Sequence, residues 1–144
     1  MIHHLGRLID HVHLRVSNLE GSRRFYEAVL QSLGRGITQA GDNYFAADEL
    51  FVSPADGEVS RVHLAFQAGS REAVRAFHAA GLRAGGRDNG GPGERAYHPG
   101  YYAAFLLDPD GHNVEAVWHG PARRSAPSVT VEPQGPLGSE PGPA

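Results

Sequence analysis

The stretch IDHVHLRVSNLEGSRRFYEAVL, Ile9 to Leu30, recurs in outline as RVHLAFQAGSREAVRAFHAAGL, Arg61 to Leu82. A shift of 52 residues superposes His11 on His63, Glu20 on Glu72, Arg23 on Arg75, Phe25 on Phe77, Ala28 on Ala80 and Leu30 on Leu82 without a gap. A repeat at fixed period constrains architecture more tightly than any single residue does. Here one strand-then-helix unit is used twice, and each copy carries a histidine on its strand.

The phase of each strand says where those histidines point. Over residues 9–16, Val12, Leu14 and Val16 alternate with Ile9, His11, His13 and Arg15, the period of a half-buried strand. The first set packs on something apolar, and the second faces a polar space. Ser17 or Asn18 caps a following helix whose apolar residues Leu19, Phe25, Tyr26, Val29, Leu30 and Leu33 recur at helical spacing up to Gly34. GITQA, NYFAA and ELFVSP then read as three short strands separated by turn signals, and residues 55–60 link the halves. The second unit repeats the plan, with a strand over 61–67, a helix over about 70–80 and Gly81 as terminator. Val62, Leu64 and Phe66 form its packing face, which turns His63 to the same kind of face as His11. A strand is expected near 82–86, and the glycine-rich RDNGGPGER is expected to be a loop, a candidate lid. YYAAFLL and NVEAVWH pair as a hairpin across the turn DPDGHN, with Glu115 on the face opposite Val114, Ala116 and Trp118. Residues 121–144 are rich in Pro, Gly and Ser and read as an extended or disordered tail, in which only SVTVE could add a strand to an edge.

Composition removes several classes of function. A chain of 144 residues suits one domain, and a net charge of −3 with dispersed arginines offers no basic patch for nucleic acid. Apolar runs are too short to cross a bilayer and the first residues lack a signal-peptide core, so the expected location is cytoplasmic with no membrane partner. The absence of cysteine excludes disulfides and thiolates, leaving nitrogen and oxygen as ligands for any transition metal. All thirteen basic residues are arginine, which excludes lysine Schiff bases and the P-loop lysine.

His11, His63 and Glu115 thus occupy the polar-space face of three strands. Two imidazoles and one carboxylate arranged facially leave open positions on an octahedral ion, where a substrate can chelate. Of the other histidines, His3 and His4 belong to the terminus, His78 to the second helix, and His112 and His119 are expected at the surface.

DHVHLRVSNLEGSRRFYEAVL followed by RVHLAF and then LLDPDGHNVEAV resembles, in that order, the vicinal oxygen chelate superfamily of glyoxalase I, methylmalonyl-CoA epimerases, extradiol dioxygenases and the fosfomycin- and bleomycin-resistance proteins. The likeness covers about residues 8–119. It implies an α+β fold in which paired βαβββ modules, 8–54 and 61–119, form an open cupped mixed sheet within a single domain of residues 1–120. It implies one divalent metal ion (Zn, Ni, Mn or Fe(II)) on His11, His63 and Glu115, with Glu49 as candidate fourth ligand or proton-transferring carboxylate. His13 shares the face of His11 and lines the pocket with Phe105; an offset of 50 residues, pairing VHL with VHL, would make His13 the ligand instead. His98 and Tyr101 are candidate proton shuttles or oxyanion donors at the rim. The family's habit of completing its cavities by exchanging sheets implies a homodimer, and its substrates are small molecules. The expected function is a metal-dependent lyase/isomerase or dioxygenase; the alternative is metal-free sequestration of a drug, as in bleomycin-resistance relatives. Fosfomycin transfer is disfavoured, because that branch's lysine cannot be matched.

Overall fold

The computed structural model describes residues 2–6 and 8–135. The repeat appears in it as two βαβββ modules. The first comprises β1 (Val12–Val16), α1 (Leu19–Ser32), β2 (Gln39–Gly41), β3 (Tyr44–Ala47) and β4 (Leu50–Pro54). The second comprises β5 (His63–Gln67), α2 (Arg71–Arg83), β6 (Arg87–Glu94), β7 (Tyr102–Leu107) and β8 (Asn113–Trp118). Each module makes a four-stranded mixed sheet of the same order, β1-β4-β3-β2 and β5-β8-β7-β6, so that β1 and β5 are edge strands. The architecture is α+β, as the repeat and the motif order imply.

The helices begin where the chain supplies a cap. Asn18 accepts the Gly21 amide at 3.0 Å and Ser70 accepts the Ala73 amide at 3.0 Å, each satisfying a donor that the first turn leaves unpaired. The two caps keep the 52-residue spacing of the repeat. The helices pack on each other and share one core, in which Leu14, Val16, Phe25, Tyr26, Val29, Phe77, Leu106 and Val114 are fully buried. Burying such side chains contributes about 1.5–3 kcal/mol each, and this is what binds the two modules together.

Five expectations are corrected. The first strand begins at Val12, not at residue 9, and Ile9 is exposed. Gly81 does not end α2, which runs to Arg83, and residues 82–86 form no strand. Its role is close approach: a Cβ at Gly81 would fall inside the envelope of Leu106 Cδ1 and lie 3.0 Å from Val29 Cγ1, so only glycine fits where α2 crosses α1 and β7. The glycine-rich stretch is a strand, β6, because it pairs only with β7 at the sheet edge, where Pro92 removes no ladder bond and two register shifts absorb the extra residues. SVTVE adds no strand; Val129 and Val131 are exposed, and residues 136–144 of the expected tail lie outside the described residues.

The turn DPDGHN joins the modules. Asp108 is buried and accepts four hydrogen bonds: from Tyr26 Oη at 2.7 Å, His112 Nδ1 at 2.7 Å, and the backbone amides of Asp110 at 3.0 Å and His112 at 2.8 Å. Asp110 in turn accepts the Ser17 amide at 3.1 Å, tying this turn to the link between β1 and α1. His112 is therefore buried rather than at the surface, a further correction whose cause is its bond to Asp108.

Candidate metal and substrate site

Strand register decides which side chains meet. In the parallel pair β5–β8, His63 lies opposite Asn113, so Glu115 stands two residues further along on the same face. The His63 Nε2–H donates to Glu115 Oε1 at 2.9 Å, and the Tyr101 hydroxyl donates to Glu115 Oε2. Glu115 is only 2 % exposed, whereas the His63 side chain is 51 % exposed, so the pair is a carboxylate sunk in the sheet with an imidazole at the surface above it. Phe105, opposite Glu115 on β7, places its ring 6.1 Å from that of His63.

Tyr101 holds its proton firmly. Burial first, and then its hydrogen bond to Glu115, push the phenol well above its ordinary pKa, and nearby Arg95 pulls the other way. Beside it, His98 and His119 stack with Nε2 and Nδ1 2.8 Å apart, while His98 Nδ1 lies 2.8 Å from the Pro99 carbonyl oxygen. That carbonyl can only accept, so the neutral pair carries a proton on His98 Nδ1 and another on His119 Nδ1, donated to His98 Nε2. Both rings sit against Tyr101, with centroids 5.3 and 5.1 Å away. His119 is at the surface, as its sequence position suggests.

The other sheet carries a second histidine-bearing face. His11 precedes β1 by one residue, and its Nδ1–H donates to Asp10 at 2.6 Å. His13 lies within β1, with Nε2 2.7 Å from Ser53 Oγ and its ring edge-on to Phe51, which stacks on Tyr44. His11, His13 and Phe51 line one hollow together with Thr38, Gln39, Ala46 and Asp48. Glu49 stands exposed in the turn before β4. The β1–β4 register extends to place Glu49 opposite His11 and Phe51 two residues beyond, so the module-one counterpart of Glu115 is Phe51. His63, Glu115, Tyr101, His98 and Phe105 thus gather on one sheet, and His11 and His13 on the other. Among the described residues no three His, Asp or Glu side chains of one chain converge as a metal site.

Arg95 was not singled out by sequence pattern, yet it lies over Phe105 with its guanidinium carbon 5.3 Å from the ring centroid. Its only advance signal is that an arginine follows three glycines spaced to leave room beside it.

Comparison with known proteins agrees with this fold. A sequence model of the Glyoxalase/Bleomycin resistance protein/Dioxygenase superfamily matches residues 8–116. Among solved structures, a glyoxalase/bleomycin resistance protein from Albidiferax ferrireducens T118 is 32 % identical with a TM-score of 0.65, covering 76 % of this chain and 97 % of that one. A glyoxalase I variant from Zea mays is 29 % identical with a TM-score of 0.55, covering 74 % of this chain and 44 % of its own. A glyoxalase-related enzyme from Fulvimarina pelagi shares the fold at 19 % identity, with a TM-score of 0.61 and coverage of 77 % and 87 %. Comparison with curated proteins finds no match. No helix among the described residues is long and apolar enough to cross a membrane. With a match that spans both modules and the same paired-module fold, the chain belongs to the Glyoxalase/Bleomycin resistance protein/Dioxygenase superfamily.

Proposed function

We propose that this protein is a metal-dependent enzyme acting on a small substrate with two adjacent oxygens, and that His11, His63 and Glu115 hold one divalent ion. The observation that carries this reading is the His63–Glu115 pair on the open face of its sheet, with Tyr101 fixing the second carboxylate oxygen. The donor chemistry fits: two imidazoles and one carboxylate suit Zn, Ni, Mn or Fe(II). The helix caps keep the 52-residue register that makes His11, rather than His13, the counterpart of His63. A bound ion would supply a Lewis acid for the chelating oxygens.

The two donor faces belong to separate sheets, each ending in an unpaired edge strand, β1 or β5. A homodimer that sets β1 of one protomer beside β5 of its partner would bring the faces together, and we adopt that arrangement. Within the site, Glu115 needs its Tyr101 bond to keep one oxygen turned aside and the other toward His63. Tyr101 acts as a donor and not as a base, because its neutral form is the favoured one. The His98–His119 pair, whose rings pack against Tyr101, is the acid–base group at the rim of the site. With Phe51 at the place of a fourth ligand, the three-donor set suits the oxygenase version, whereas in the lyase/isomerase version Glu49, opposite His11, would be the carboxylate base. The aromatic floor of Tyr44 and Phe51 also favours one second reading, a metal-free cup for a planar drug.

Incubation of metal-loaded protein with catechols in an oxygen electrode tests the oxygenase version. Oxygen uptake with ring opening supports it. Proton exchange next to a carbonyl without oxygen would select the lyase/isomerase version, and tight drug binding by metal-free protein would select sequestration.

A further inference from the structure

The charge of Arg95 is the feature of this face that the proposed reading leaves without a role. Its Nη2 donates to the Gly91 carbonyl at 2.8 Å and its Nη1 donates weakly to the Glu94 carbonyl at 3.4 Å, so two of five N–H groups are used, both on neutral acceptors. Among the described residues no carboxylate lies within ion-pair distance of it, although Arg71 on the same module is paired with Glu94 at 2.7 Å. The strand beneath it is shaped to accept it. A Cβ at Gly90 would lie 3.3 Å from Nη2 and one at Gly93 would lie 3.1 Å from Nη1, so side chains at either position would press on the guanidinium. Phe105 closes the bed from below, and the same Phe105 ring borders His63 and stands opposite Glu115. The Arg95 amide also donates to the Tyr101 carbonyl at 2.9 Å, which fixes the start of this side chain relative to the phenol on Glu115.

We infer that Arg95 is the specificity-determining residue of this site and that the substrate carries a carboxylate beside its chelating oxygens, received by the guanidinium over Phe105. An arginine fork matches two carboxylate oxygens, and its partly buried position strengthens the pairing relative to a surface ion pair. The inference rests on the reading above for where the chelating oxygens sit, but the arginine bed itself is independent of any metal.

The test uses two probes that differ only in the carboxylate, 3,4-dihydroxybenzoate and catechol, titrated calorimetrically into manganese-loaded full-length protein, together with benzoate titrated into metal-free protein. Wild type is expected to bind dihydroxybenzoate at least about tenfold more tightly than catechol, an increment of about 1.4 kcal/mol. Arg95→Gln should abolish that preference while leaving catechol affinity unchanged, and Arg95→Lys should restore part of it. Benzoate binding to metal-free wild type, lost in Arg95→Gln, supports the inference even if manganese does not load, in which case the metal reading alone fails. The inference is overturned if loaded wild type shows no preference, or if Arg95→Gln keeps it with its far-ultraviolet circular dichroism intact. It is equally overturned if manganese does not load and benzoate is not bound.

Discussion

Replacing Asp108 with alanine removes a buried acceptor on which four donors converge: the Tyr26 hydroxyl, the His112 ring and two turn amides. The two amides can find water if the turn opens. The Tyr26 and His112 groups are fully or almost fully buried and cannot, and each stranded donor costs about 1–3 kcal/mol. The sum is about 3–5 kcal/mol once non-additivity is allowed for, a large part of the 5–15 kcal/mol typical of a domain. With a urea slope of about 1–3 kcal/mol per molar, the unfolding midpoint should fall by about 2 M. Trp118 is the sole tryptophan and lies on β8, immediately beyond the turn and Glu115, so its fluorescence reports the relevant segment. Asp108→Asn should fall in between, because its amide must face donors on one side or the other. A double-mutant cycle with Tyr26→Phe should give a coupling of about 0.5–3 kcal/mol. A midpoint shift below about 0.5 M for Asp108→Ala, or zero coupling, would refute the view that this carboxylate clamps the two modules together.

Two further substitutions probe the core. Tyr26 has its phenol raised well above the usual value by burial and then by Asp108. The stability it contributes is therefore complete below pH 10 and is lost as pH rises beyond that. Urea midpoints between pH 8 and 11.5 should fall less steeply in Tyr26→Phe than in wild type, at a cost of about 1 kcal/mol near neutrality, and parallel curves would contradict the assignment. Gly81→Ala gains about 1 kcal/mol of helix propensity but must displace fully buried Leu106 and Val29, which costs about 1–3 kcal/mol. A lowered melting temperature is expected, and an increase would show that the crossing has slack.

What the sequence made legible is what local periodicity encodes. Alternation through His11–Val16 and Val62–Gln67 gave the faces, and the Ser17–Asn18 pair, of which Asn18 proves to be the cap, and Ser70 gave the helix starts, because cap and strand signals act within a few residues. β6 was missed because glycine and proline are loop signals, and only the sheet order, which is non-local, reveals an edge where they are tolerated. Gly81 misled for a similar reason: its neighbours Val29 and Leu106 are distant in sequence. The burial of His112 depends on Asp108, which is itself held by Tyr26 82 positions away. The pairing of His63 with Glu115 was legible as shared phase, but the separation of His11 onto another sheet was not, since no pattern in the chain states how two sheets are set relative to each other. Arg95 became visible only once Phe105 and the glycines of β6 were seen beneath it.

The most direct measurement is the metal content of the purified protein after incubation with Zn, Ni, Mn and Fe(II), followed by native mass spectrometry of the same samples. The proposed site predicts about one divalent ion per chain in a dimer, with binding abolished by His63→Ala, strongly weakened by His11→Ala and retained by His13→Ala. Loss in His13→Ala with retention in His11→Ala would move the first ligand by two residues. Wild-type protein that stays metal-free with all four ions would contradict the site altogether.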